Sequence, residues 1–199
     1  YYIDWSNQGL TSSRLIEETD GSPYPGSAVL NIGKSEVKGL EFEAVWQATD
    51  QLTVSGTLAY TDATIEEFTD LTQAILFDFA DGTIDYNPAF TQPQLDAFVA
   101  REGNVAGNTL PAVSEWQYSF STAWDDQLGS TAWDWFARAD YQFESSRYAQ
   151  IHNLAETGIN RNLNLRAGVK NGTYTLTAWI TNATDDDTAT GVTRGRDFL

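Results

Sequence analysis

The run Leu40-Glu41-Phe42-Glu43-Ala44-Val45-Trp46-Gln47-Ala48, then Thr49-Asp50-Gln51, then Leu52-Thr53-Val54-Ser55-Gly56-Thr57-Leu58-Ala59-Tyr60, decides the fold. Leu40, Phe42, Ala44, Trp46 and Ala48 fall on every second position, as do Leu52, Val54, Gly56, Leu58 and Tyr60. A period of two belongs to the β-strand, whose successive side chains point to opposite faces. Folding the chain about Asp50 sets Ala48 opposite Leu52, Trp46 opposite Val54 and Phe42 opposite Leu58. Both strands then carry their apolar sets on one face, as hairpin register requires.

The pattern repeats on either side of this hairpin. Trp116, Tyr118, Phe120, Thr122 and Trp124 alternate with Gln117, Ser119, Ser121 and Ala123, and Trp133, Trp135, Ala137, Ala139, Tyr141 and Phe143 return antiparallel to them. Leu163, Leu165, Ala167 and Val169 follow. Asn171-Gly172 then marks a two-residue turn, because both residues tolerate positive φ. That turn predicts Val169 opposite Tyr174 and Leu163 opposite Ile180. With the opening Tyr1, Ile3 and Trp5, the reading is all-β: an antiparallel meander of about seven long strands. The connections alternate in length. Those at 49–51, 125–131 and 171–172 are short, whereas 8–29, 66–110 and 147–160 are long and polar. Within the longest, Gln94 to Arg101 predicts a short helix, and Asp78 to Ala89 reads as irregular.

Composition narrows the function classes. Among 199 residues, 28 acidic against 11 basic leave a net charge of -17. Such a charge repels nucleic-acid phosphates and, in general, anionic lipid headgroups. Nucleic acid is therefore not expected as a partner. Zero Cys excludes disulfides, thiol catalysis and Cys-ligated zinc. The absence of Met and the strand-like start at Tyr1 suggest a piece of something longer. No 18-residue apolar window predicts a membrane helix, but a β-barrel escapes that test because only alternate residues meet lipid.

Three features favour lipid over a soluble core. Each apolar face runs over about nine residues, close to the ~9–11 that cross a bilayer. Trp46, Tyr60, Trp116, Trp124, Trp133, Tyr141 and Tyr174 gather near strand ends, where interfacial aromatics sit. The other face carries Glu41, Glu43, Arg138, Asp140 and Arg166, as a hydrated lumen would. The alternatives are a secreted soluble β-sandwich that binds carbohydrate through exposed aromatics, and a smaller complete barrel.

Several runs resemble the C-terminal barrel of TonB-dependent outer-membrane receptors. Tyr1-Tyr2-Ile3-Asp4-Trp5 is similar to that family's aromatic-Ile-Asp-Trp strand. Asn31-Ile32-Gly33-Lys34-Ser35-Glu36-Val37-Lys38-Gly39-Leu40-Glu41-Phe42-Glu43 resembles its Asn-x-Gly…Gly-x-Glu-x-Glu strand. Leu58-Ala59-Tyr60-Thr61-Asp62-Ala63, Leu110-Pro111, Leu163-Asn164-Leu165-Arg166 and Trp179-Ile180-Thr181-Asn182-Ala183-Thr184-Asp185 fit in the same order.

The resemblance implies part of a transmembrane barrel of about 22 strands, with short periplasmic turns and long extracellular loops. On that reading 1–199 is a partial receptor barrel lacking the plug domain and the closing C-terminal strand, with 191–199 as a loop. It implies a place in the bacterial outer membrane, in contact with its lipid. It also implies coupling to the TonB system through the missing plug, and uptake of a scarce small-molecule or metal-chelate ligand: siderophore-iron, corrinoid, haem or oligosaccharide. The segment would supply wall and loops without catalysis, so it is not an enzyme and needs no cofactor. Loops on a rigid scaffold carry recognition. That singles out 68–109 and 147–160, and in them Tyr86, Phe90, Arg101, Arg147, Tyr148 and His152 as ligand-contact candidates.

Other chemistry has weaker support. Glu41 and Glu43 form a carboxylate pair without an accompanying nucleophile or base, so a polar lumen wall accounts for them. Asp185-Asp186-Asp187 lacks the interval and glycine of a calcium loop. His152 is the one histidine, which excludes multi-His metal sites in this chain. Asn171-Gly172-Thr173 and Asn182-Ala183-Thr184 match a glycosylation pattern but serve the hairpin reading equally. No catalytic or metal residue is assigned.

Overall fold

A computed structural model of the chain describes residues 1–17, 23–78, 85–87 and 89–192. Seven antiparallel strands form one sheet in sequence order: β1 (Tyr2–Glu17), β2 (Pro23–Gln47), β3 (Leu52–Glu67), β4 (Trp116–Gln127), β5 (Asp134–Glu144), β6 (Asn160–Lys170) and β7 (Thr175–Ile180). Helices α1 (Leu71–Phe77) and α2 (Gln92–Glu102) lie in the β3–β4 connection. The all-β meander expected from alternation is the observed architecture. The chain divides into two compact units. One comprises Tyr1–Lys38, Asp62–Ala112 and Gln150–Leu154; the other comprises Gly39–Thr61, Val113–Ala149 and Ala155–Leu199.

In the second unit the register stacks like upon like. Leu58, Tyr118, Phe143 and Arg161 form one cross-strand row on β3 to β6. Val54, Thr122, Ala139, Leu165 and Ile180 form another, and Leu52, Trp124, Ala137, Ala167 and Ala178 a third. All three rows share a face, and most of their members are apolar. That face stays open: Trp46 is 65% exposed, Leu176 72% and Ile180 58%. A soluble sandwich would cover it with a second sheet, but the described strands make a single sheet. The opposite face is mostly polar and internally bonded, with Val45, Phe136 and Trp179 as its large apolar members. Ser121 donates to Asp140, which also takes the Arg138 guanidinium at 2.8 Å, and Thr57 and Ser119 share a 2.7 Å bond.

Two expectations change. The β6–β7 hairpin does not turn on Asn171-Gly172 alone. Lys170 pairs with Thr175 and Leu165 with Ile180, two residues away from the expected register. The cause is the Asn171 side chain, whose Oδ1 accepts from the Thr173 and Tyr174 amides at 3.0 and 2.7 Å and closes a four-residue turn. A shift of two keeps every side chain on its own face.

In the first unit, the expected loop at 8–29 is largely ladder. β1 and β2 pair from Tyr2↔Lys38 through to Glu17↔Pro23. Gln8-Gly9-Leu10-Thr11-Ser12-Ser13 shows no apolar alternation, with Leu10 as its single large apolar residue. A ladder of backbone bonds needs no apolar alternation, so the sequence pattern there is silent. Gly33, in the Asn31–Glu43 motif, is required by a close approach: a Cβ there would lie 2.6 Å from the Glu67 carbonyl oxygen.

Candidate ligand-facing loops

The β3–β4 connection folds onto its own small core. Ala63, Ile65, Ala74, Phe98, Val105, Leu110 and Ile151 are buried in the first unit. Asp70 starts α1 by accepting from the Gln73 amide at 3.0 Å, which satisfies one of the free amides of a first turn. Gln94 starts α2 by accepting from the Thr91 amide and hydroxyl, with Pro93 preset for a first turn. α2 therefore extends the expected Gln94–Arg101 helix by a few residues. α1 carries no such forecast. Of the stretch expected to be irregular, 79–84 and 88 lie outside the described residues, as does 193–199 of the expected terminal loop.

Gln150–Leu154 is clamped to this connection by polar bonds. Asn153 Oδ1 accepts from the Thr109 amide at 2.7 Å, and its Nδ2 donates to the Thr109 carbonyl at 2.9 Å. Asn108 Nδ2 donates to the Ile151 carbonyl at 2.8 Å. Asn153 has φ +52°, a left-handed conformation that asparagine tolerates better than most residues. His152 is 7% exposed, with Nδ1 2.9 Å from Gln73 Oε1 and Nε2 3.7 Å from Asp70 Oδ1. A sequence reading that puts His152 on a loop surface misses this. The side chain points into the loop core and holds α1.

Tyr86, Phe90 and Arg101 come together, with Phe98 at their centre. The Tyr86 ring lies 5.8 Å and the Phe90 ring 5.9 Å from that of Phe98, and Tyr86 meets Phe90 edge-on at 6.1 Å. The Arg101 guanidinium is 6.0 Å from the Phe98 ring centre. It is paired with Glu102 and Asp85, and its pKa is raised, mainly by the bond to Glu102. Asp78 orders the approach by accepting from the Asp85 and Tyr86 amides at 3.0 and 2.9 Å. Phe98 escapes a search for surface ligand contacts because it is buried; its place on the apolar side of α2 is the signal that could have found it. Tyr86 and Phe90 are half-buried and Arg101 is exposed, so this cluster has a surface.

Arg147 and Tyr148 belong to the second unit. Arg147 pairs with Glu144 and donates to the Thr190 carbonyl at 2.9 Å, while its amide and carbonyl bond Thr157. Tyr148 bridges to Glu156. Their described contacts tie down the β5–β6 connection. Beyond β7, Asn182 and Asp186 bind each other, and Asp186 accepts from the Arg161 and Thr188 amides. A hydrogen bond from the Thr188 side chain lowers the Asp186 pKa most, followed by the Thr188 and Arg161 amides. The Asp185–Asp187 run is thus a folded turn, and among the described residues no group of three metal-ligating side chains assembles.

Long strands with one open apolar face, a charged network behind it, short turns at one end and long connections at the other define the wall of a transmembrane β-barrel. Residues 1–183 match the family described as TonB dependent receptor-like, beta-barrel, and the chain belongs to that family. Its members are transporters, not enzymes, and the family is located in the bacterial outer membrane. Among solved structures, the chain is similar to BauA, the ferric preacinetobactin receptor from Acinetobacter baumannii. The TM-score is 0.57 with 15% identity, over 94% of this chain and 22% of that one. The chain thus spans about a fifth of the length of that receptor. No curated protein matches it in sequence.

Proposed function

We propose that this chain supplies wall and extracellular loops to an outer-membrane active transporter that takes up a scarce ligand with TonB-coupled energy. The observation that carries this is the open apolar face of β3 to β7 in a member of the receptor barrel family. BauA is named for a ferric siderophore, which makes siderophore-iron the first ligand class to test, ahead of corrinoid, haem and oligosaccharide.

In this reading Tyr86, Phe90 and Arg101 face the ligand. Arg147, Tyr148 and His152 position the loops that do so. Between 62 and 112, Arg101 is the one Lys or Arg against nine Asp and Glu. Such a field favours cationic or neutral ligands over anionic ones. Deleting 68–109 in the full-length receptor should abolish growth on each of the four ligand classes, offered singly, that the intact receptor supports. Unchanged uptake by the deleted receptor would refute the assignment of these loops.

A further inference from the structure

Arg161 is a cation on an apolar face. It pairs with Phe143 across β5 and β6, and so shares the side of the sheet that carries Leu163, Leu165, Ala167 and Val169. It stands at the end of β6 next to a long connection. Its guanidinium lies 5.9 Å from the centre of the Phe143 ring, which stacks on Tyr118 at 4.5 Å. Arg138, Arg147 and Lys170 each have a carboxylate partner; among the described residues the Arg161 guanidinium has none within ion-pair distance.

On the same face, a groove of about 510 Å³ opens between the strands. Thr122, Ala137, Ala139, Ala167 and Ala178 leave it low, and Leu52, Trp124, Leu165 and Ile180 overtop them. From Arg161 to this groove is four to six residues of β6, or about 13–20 Å along a strand. At the ~35–45° tilt of barrel strands, that is about 10–15 Å of depth, roughly half of an apolar band ~25 Å tall.

We propose that this face is a binding site for one anionic, phosphate-bearing membrane lipid, with its phosphate on Arg161 and an acyl chain in the groove. Charge complementarity selects this occupant. Asp186 accepts from the Arg161 amide, but no carboxylate ion-pairs with the guanidinium among the described residues, so at the rim of an apolar surface its donors are left to match a phosphate at headgroup level. The chain's net charge of -17 opposes anionic lipids in general, so selectivity here depends on Arg161. The proposal rests on the membrane reading above.

The test uses the full-length receptor in phosphatidylcholine nanodiscs, doped with chain-brominated lipid bearing either a phosphatidylglycerol or a phosphatidylcholine head. Bromine quenches Trp124 fluorescence, isolated as the difference from Trp124→Phe. The Trp124 indole N–H is buried with no partner among the described residues, so that substitution removes no hydrogen bond. Half-quenching is expected at an about fivefold lower fraction of the phosphatidylglycerol lipid. The preference should vanish in Arg161→Gln and persist in Arg161→Lys. Ala167→Phe, which fills the groove, should weaken it. Equal quenching by the two lipids, or a preference that survives Arg161→Gln, would mean ordinary surrounding lipid and overturn the proposal alone. No quenching by either lipid would overturn the membrane reading together with it.

Discussion

Asn153→Ala should unfasten the Gln150–Leu154 segment from the β3–β4 connection and leave the sheet intact. The side chain makes two short bonds to Thr109, at 2.7 and 2.9 Å, and a longer one of 3.3 Å to the Gln150 carbonyl. Each short bond contributes about 1 kcal/mol net. Alanine at φ +52° adds about 1 kcal/mol of left-handed strain. The sum is about 3 kcal/mol, or roughly a hundredfold in the local opening equilibrium. The Thr109 amide reports that opening directly, because its acceptor is the side chain removed. Hydrogen exchange of the full-length receptor should show Thr109 exchanging about a hundredfold faster, with the β5–β6 ladder unchanged. Asn153→Gly, which removes the bonds without the strain, should give about thirtyfold. Unchanged exchange at Thr109, or equal acceleration along β6, would refute a local clamp.

Gly168→Ala would place a Cβ 2.2 Å from the Leu176 carbonyl oxygen and 2.6 Å from Phe136 Cζ, so the β6–β7 hairpin must shift. Thermal unfolding should show a loss of about 1–3 kcal/mol, against little change for Gly172→Ala, where nothing lies within 4 Å. The Asp186 carboxylate has a folded pKa below its ordinary value, so its contribution is complete above about pH 4 and is lost as pH falls through the lowered value. Amide exchange of 182–192, expressed against the intrinsic rate at each pH, should therefore lose protection toward about pH 2 in the native receptor, and show equally low protection at every pH in Asp186→Ala.

The faces of β3 to β7 were legible because lipid or core on one side forces a two-residue period, and that period survives errors in turn length. The Asn171 turn shows the limit. Asn-Gly reports a tendency to positive φ, but the bonds from Asn171 Oδ1 to the Thr173 and Tyr174 amides set the turn at four residues, and only geometry reveals those. The β1–β2 ladder beyond Gln8 was hidden because a strand without apolar alternation carries no signature. At seven residues with a single capping side chain, α1 is too short for helical periodicity to emerge. Of the candidate site, Tyr86, Phe90 and Arg101 were legible by residue type and loop placement, and their meeting around Phe98 was not. His152 shows the opposite error: a histidine in a polar loop reads as a contact, while tertiary packing turns it inward against Gln73.

The central claim is that lipid covers the Leu163, Leu165, Ala167 and Val169 side of β6, and water the Asn164, Arg166 and Gly168 side. Single cysteines at each position from 163 to 169, with any cysteine outside this cysteine-free segment replaced, can be spin-labelled in the full-length receptor in bilayers. Collision with oxygen, which concentrates in lipid, and with a water-soluble nickel chelate should alternate with a period of two, oxygen favoured at 163, 165, 167 and 169. The reverse phase, or water access to both sides alike, would contradict the account.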